Sequence, residues 1–477
     1  MSKVFRLTIE LPKGISRNSI NIGEDKDCDI TLSISEMFLH MLSCEERELA
    51  YLVNSLFVYE SLLMDDKNSF YRKRIVTTLN GTEPIEIVMC LSENVELQPL
   101  EDLVKYTLAF CLNVFPEVRI SRGTGSIKNE RPTRDITRRI DSVFLFSGGL
   151  DSLAGVANIV NLNCRSKGIF VSHGSSQLTS LLENSLIPFL ANMKVPIFHV
   201  SVSRGSNQVQ QLRGLLYFIL GGLFAKVNGT NKLIVSEVGP TMYQPIYDIL
   251  DEVTLTTHPT VVYLAKEFFS VVLGFDLDMR LQFSNLTKSE ALAQLSKEDS
   301  MTRVMKNTNS CRNTMFAKHK KTTHCGKCLG CIIRRIAMIL NGFEQPIEGY
   351  YASDVFVKNV GEYGNGRDQK LRIKQSSLDN LLMVLTFSKN LLINNLDEMI
   401  LEKIEEFDMM KLFRRFSLEV MSVLHILYGP NGVGRNDYIR KFYEECSKIG
   451  IISEEIVKTR QLEIIQRKYK PLSISEN

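Results

Sequence analysis

Two groups of residues in this 477-residue chain have types and spacing that can do chemistry. The first is FSGGLDS, Phe146 to Ser152, directly after the apolar run VFLF. Its two glycines let the backbone turn tightly and approach a ligand. The unpaired amides at the start of the following helix then point at that ligand, which suits an anion. Asp151 sits where a magnesium contact can form, and Ser152 can give its hydroxyl to a phosphate oxygen. The second group is NSCRNTMFAKHKKTTHCGKCLGC, in which Cys311, Cys325, Cys328 and Cys331 are separated by thirteen, two and two residues. Four thiolates with two Cys-x-x-Cys steps suit a tetrahedral zinc whose full ligand set leaves no open position, so the expected role is structural. His319 or His324 can stand in for one ligand, and an iron-sulfur cluster is the rival occupant because thiolates serve both.

Composition narrows the setting. Apolar residues make up 44% and charged residues 23%, as in ordinary globular domains. No apolar run reaches the ~18 residues of a membrane span, and GLLYFILGGLF, Gly214 to Phe224, reads as a buried helix. Lys and Arg number 57 against 54 Asp and Glu, a net charge of +3, too balanced for a general nucleic-acid binder. Local basic clusters stand at Arg131 to Arg139 and Lys318 to Lys321. Ten cysteines fit reduced thiols rather than a disulfide framework. At the N-terminus Phe5, Leu7, Ile9 and Leu11 alternate with polar residues, a half-buried strand and not a secretory leader, so a cytoplasmic protein is expected.

The elements that must position these groups fall into four stretches. Residues 1–120 read as an N-terminal α/β domain. A helix starts at Ser43 with Glu46 at capping-box spacing, and a second helix covers about 100–114. Between them, RIVTTL and IEIVMCL flank Asn80-Gly81 and predict a hairpin. Residues 121–140 read as a polar linker. Over 141–342, the strand-like runs SVFLF, GIFVSH, VPIFHVSV and KLIVSE alternate with helical stretches and predict a parallel sheet covered on both faces. Residues 343–477 are mainly helical by periodicity. Within them GPNGVGRND, Gly429 to Asp437, has P-loop glycine spacing, but Arg435 and Asn436 replace the required Lys and Ser/Thr, so an interhelical turn is expected.

SGGLDS after an apolar strand looks like the PP-loop of the N-type ATP pyrophosphatases. Followed by a cysteine cluster in the same domain, it resembles the QueC-like, 7-cyano-7-deazaguanine synthase-like family. QLRGLLYFILGGLFAKVNG, LTKSEAL and CGKCLGCIIRR are similar to further family segments. The resemblance implies an α/β fold of the adenine nucleotide alpha hydrolase type, a doubly wound parallel sheet with a zinc-binding knuckle. It implies that ATP, Mg2+ and Zn2+ are bound: Ser147, Gly148, Gly149, Leu150, Asp151 and Ser152 hold the phosphates and magnesium, with Asp151 and Ser152 catalytic. Arg213 neutralises triphosphate charge, and Cys311, Cys325, Cys328 and Cys331 hold the zinc. The implied reaction adenylates the carboxylate of a deazapurine-type small molecule, releases pyrophosphate and AMP, and passes the acyl group to ammonia or an amine. Two stretches depart from the family pattern, VGPTMYQPIYD at Val238 to Asp248 and HGSSQ from His173. The flanking domains make the layout resemble the QueC-like proteins of bacterial antiphage defence operons, which implies a protein partner from the same operon. A tRNA-modifying enzyme and a non-catalytic nucleotide sensor are the competing readings.

Overall fold

The computed structural model describes residues 5–9, 18–24, 26–32, 34–65, 85–89, 91–112, 114–123, 140–162, 165–173, 186–202, 211–243, 255–295, 304–305, 307–308, 310–311, 324–344, 351–352, 354–359, 378–393 and 409–467. Strands β1 (Phe5–Ile9), β2 (Asn18–Glu24) and β3 (Lys26–Leu32) are followed by helices α1 (Glu36–Leu39) and α2 (Cys44–Asp65). Next come β4 (Ile85–Met89), α3 (Leu97–Leu112) and β5 (Val118–Arg122). The five strands form one sheet in the order β3-β2-β1-β4-β5. The capping box forms as expected: the Ser43 amide donates to the Glu46 carboxylate at 2.7 Å, and the Glu46 amide donates to the Ser43 hydroxyl at 3.4 Å. The predicted hairpin across Asn80-Gly81 is corrected here. Both edges of β4 are taken by parallel neighbours, β1 and β5, so no edge remains for RIVTTL, which itself lies outside the described residues. The antiparallel pairs of this sheet are β1–β2 and β2–β3. β5 runs to Arg122, two residues into the stretch read as linker.

The second sheet is all parallel. Its elements run β6 (Ser142–Leu145), α4 (Leu150–Asn161), β7 (Ser166–His173), α5 (Ile187–Asn192), β8 (Ile197–Val202), α6 (Arg213–Val227), β9 (Lys232–Val238), α7 (Gly239–Tyr243), α8 (Pro259–Leu273), β10 (Asp278–Phe283) and α9 (Lys288–Leu292). The strand order is β10-β9-β6-β7-β8. The first four strands match the four apolar runs, and β10 is an addition. One face is covered by α6 and α8, whose core is continuous with that of α2 and α3. α4 and α5 cover the other face. The predicted buried helix is α6, with Leu215, Leu216, Ile219, Leu220 and Leu223 all at 0% exposure.

Helix α10 (Leu329–Leu340) leads into α11 (Asp379–Ile393), α12 (Met409–Tyr428), α13 (Asp437–Lys448) and α14 (Glu454–Arg467). Ala337 and Met338 of α10 face the core shared with α4, whereas Ile332, Ile333 and Ile336 join the core of the C-terminal helices. The GPNGVGRND segment is the turn between α12 and α13. The Gly434 amide is spent on Leu427 O at 2.7 Å, and Asn436 caps α13 by accepting from the Tyr438 and Ile439 amides. Both basic clusters lie outside the described residues. Among the described residues, no helix is long and apolar enough to cross a membrane.

Candidate functional site

Strand β6 lies at the centre of the parallel sheet, where the strand order reverses: β6 to β8 run one way, and the chain then returns to place β9 on the other side of β6. Crevices beyond the C-terminal ends of strands at such a point are where open α/β sheets bind ligands. The loop Phe146 to Gly149 leaves β6 there. Gly148 has φ +71°, a left-handed conformation costly for other residues, and Gly149 caps α4 without any side-chain hydrogen bond to its amides. The exposed Ser147 hydroxyl is 3.3 Å from both the Gly149 amide and the Ser152 hydroxyl, and Ser152 Oγ donates to Gly149 O at 2.9 Å. The two serines therefore hold the loop's shape, with Ser147 exposed and Ser152 buried beneath it.

Asp151, in the first turn of α4, is brought against β9 because Gly155 lets the helix approach closely. A Cβ there would fall 1.9 Å from Ser236 Oγ. Lys288, the first residue of α9, donates to Asp151 Oδ2 at 2.6 Å, and each side chain is only 9% exposed. Asp151 Oδ1 is buried and meets no amide, hydroxyl or ammonium donor, and the Asp151 carboxylate shares a hydrogen bond with the Glu237 carboxyl. Glu237, at the C-terminal end of β9, completes the group. Burial and the neighbouring Asp151 charge push its carboxyl up to about 7, against the opposing pulls of Lys288 and of the Thr241 hydroxyl, which donates at 2.5 Å. Two carboxyl groups beside a helix N-terminus fit a divalent cation carrying an anionic ligand. Asp151, Glu237 and the loop amides would hold such a pair.

Glu237, Thr241 and Lys288 were not among the residues singled out as site residues. Their signals were present: Glu237 ends a legible strand, and Lys288 lies in LTKSEAL. Arg213 stands at the first position of α6. There it lies beside Glu60 of α2, whose carboxylate accepts the Leu212 amide at 2.9 Å and feels the Arg213 charge. Among the described residues no ion pair joins Arg213 to Ser147–Ser152.

The four cysteines form the second site. Their Sγ atoms all lie within 4.8 Å of one another. Cys325 and Cys331 are 3.8 Å apart, Cys328 and Cys331 3.4 Å. A tetrahedron of ~2.3 Å zinc-sulfur bonds has edges of about 3.8 Å, so the cage fits zinc. Gly326, at φ +81°, makes the knuckle turn, and the Cys328 and Cys325 amides donate to the sulfurs of Cys325 and Cys311. Cys328 also caps α10, whose positive end favours thiolate. The thiols share protons unequally: hydrogen bonds from Cys311 hold Cys325 and Cys328 low, the bond with Cys325 raises Cys311, and burial raises Cys331. His324 is no ligand; it sits beside the cage, where its Nε2 is 3.4 Å from the Ser310 amide and burial holds its pKa well below the ordinary value. His319 lies outside the described residues. Tyr351 closes the cage, fixed by Glu344 at 3.1 Å and by the Arg335 guanidinium 4.9 Å above its ring.

Scanning the sequence against models of protein families finds no match, and a search for curated relatives finds none.

Proposed function

We propose that this protein is a QueC-like ATP pyrophosphatase with the PP-loop fold, whose Ser147–Ser152 loop holds the phosphates of magnesium-ATP while a carboxylate is adenylated. One observation carries the reading: the SGGLDS turn leaves the central strand at the switch point, with no side chain capping the start of α4, beside the buried Asp151 carboxylate and the Glu237 carboxyl. The loop amides and Ser152 would bind the β and γ phosphates. Asp151 and Glu237 would hold the magnesium, which when bound offsets phosphate charge and polarises the α phosphorus. Lys288 would hold Asp151 in place and add positive charge beside the phosphates.

The substrate carboxylate oxygen attacks the α phosphorus, the bond to the β phosphate oxygen breaks, and pyrophosphate leaves. An amine nitrogen then attacks the acyl carbon, the bond to AMP breaks, and the nitrogen loses a proton to solvent. By its resemblance the substrate is a 7-deazaguanine carboxylate, and the acceptor is ammonia or an amine of a partner protein from the same antiphage defence operon. Mass spectrometry of protein, magnesium-ATP and carboxy-deazaguanine, with ammonium or operon partners, tests this. AMP with an amide, a nitrile or a mass added to the partner supports the ligase; AMP formed only in the presence of tRNA, with modified tRNA, would replace it with the tRNA reading.

A further inference from the structure

The short helix α9, which carries Lys288, is held from three directions by parts of the chain far away in sequence. Its N-cap Thr287 forms a capping box with Glu290, donor and acceptor both satisfied. The hydroxyls of Thr287 and Ser289, the residues on either side of Lys288, donate to the two oxygens of Glu419 on α12, at 2.5 and 2.8 Å. Arg460 of α14, 2% exposed, donates to Glu290 at 2.8 Å and to Glu419 at 2.6 Å. Arg415 of α12 adds a 3.0 Å bond to Glu290 and a 2.7 Å bond to Asn285 O. From the side of the cysteine cage, Asn341, at the end of α10, donates to Ser289 O at 3.0 Å.

A core hydrophobic patch would hold a helix equally well at lower desolvation cost, because burying charge is expensive even when it is paired. What charge adds is direction: each hydrogen bond fixes the rotation and axial position of the turn, and a half-satisfied network is costly. The fixed turn delivers one group outward, the Lys288 ammonium, onto Asp151 Oδ2 at 2.6 Å. We infer that Glu419 and Arg460 are positioning residues, and that the C-terminal helices set the place of Lys288 in the phosphate site. The catalytic part of this inference rests on the phosphate-loop reading; the clamp itself does not. It makes α12 and α14 part of the site's support, acting on Lys288 through α9.

Two readouts on the full-length protein test this. The first is the rate at which an amine-acylating reagent modifies Lys288, followed by mass spectrometry well below the unfolding temperature. Arg460→Met is expected to speed that modification about tenfold and Arg460→Lys to restore most of the protection; couplings of this size are usual within one buried network. The second is magnesium-ATP affinity by calorimetry. Arg460→Met and Lys288→Met should each weaken it, and the double variant should be no weaker than Lys288→Met alone. Should Arg460→Met prove insoluble, Glu419→Gln is expected to move both readouts in the same direction by less. Unchanged Lys288 protection in a variant that merely melts earlier, or additive losses in the double variant, would overturn the clamp. Wild-type protein that protects Lys288 but binds no magnesium-ATP would leave the clamp standing and remove the phosphate-loop reading instead.

Discussion

The cysteine cage and the phosphate loop are both turns that feed the N-terminus of a helix, yet they are finished to different degrees. In the cage four buried sulfurs face one point, two backbone amides donate to them, and Tyr351, Glu344 and Arg335 close the outside. Nothing in it is left open to a substrate. In the loop Ser147 is exposed, α4 has no side-chain cap, and Asp151 keeps one buried oxygen without an amide, hydroxyl or ammonium donor. Such a carboxylate oxygen, next to a helix start without a side-chain cap, suits a cation with its anionic ligand. Under the proposed function the difference is that between a structural site and a working one, and the clamp on α9 joins them: α10 starts in the cage and ends on Ser289, one residue from Lys288.

The largest effect is expected at the cage. Cys325→Ser is expected to abolish metal binding and most soluble folded protein, since structural zinc is worth about 10–16 kcal/mol in small sites; metal analysis and circular dichroism check this. Next is Asp151→Asn, expected to lower ATP-dependent turnover by about 10²-fold or more, the scale of losing one electrostatic group at a reacting centre, with the fold intact by circular dichroism. Smaller and dependent on pH is Glu237→Gln. The folded carboxyl titrates at about 7, above its ordinary 4.5, so between those values the folded protein keeps a proton that the unfolded chain has released. Stability therefore falls as pH rises through that window. Glu237→Gln should remove this part of the fall, so denaturant melts should show the variant gaining on wild type from pH 4.5 to 7. The smallest effect on turnover is expected at the turn that only imitates a phosphate loop: Asn436→Ala should lose a helix cap and the amide's bonds to Val355 O and Lys358 O, costing about 1–3 kcal/mol of stability, and leave ATP turnover unchanged.

Sequence was enough where the signal is local. SGGLDS and the Cys-x-x-Cys steps are read within a few residues, and the apolar runs of β6 to β9 mark four of the five parallel strands. Asn80-Gly81 misled for the same reason: a turn signal says nothing about which neighbours a strand will take, and β4 went to β1 and β5. β2 and β3, in NSINIGEDKDCDITL, are too polar to stand out as strands. Glu237 and Lys288 were in view as residues but not as a group, because α4, β9 and α9 meet only in three dimensions. The clamp was out of reach altogether: Glu419 and Arg460 stand 130 and more positions from the residues they hold, on helices whose periodicity reports burial and not partners.

The proposed function requires the Ser147–Ser152 loop to support cleavage between the α and β phosphates of ATP. Pyrophosphate exchange tests it without needing the acyl acceptor: labelled pyrophosphate is added to protein, magnesium-ATP and carboxy-deazaguanine, and label in ATP is counted. Label should appear in ATP only when the carboxylate is present, and should be lost in Asp151→Asn. Release of ADP and phosphate instead, or exchange undiminished in Asp151→Asn, would contradict the proposed function.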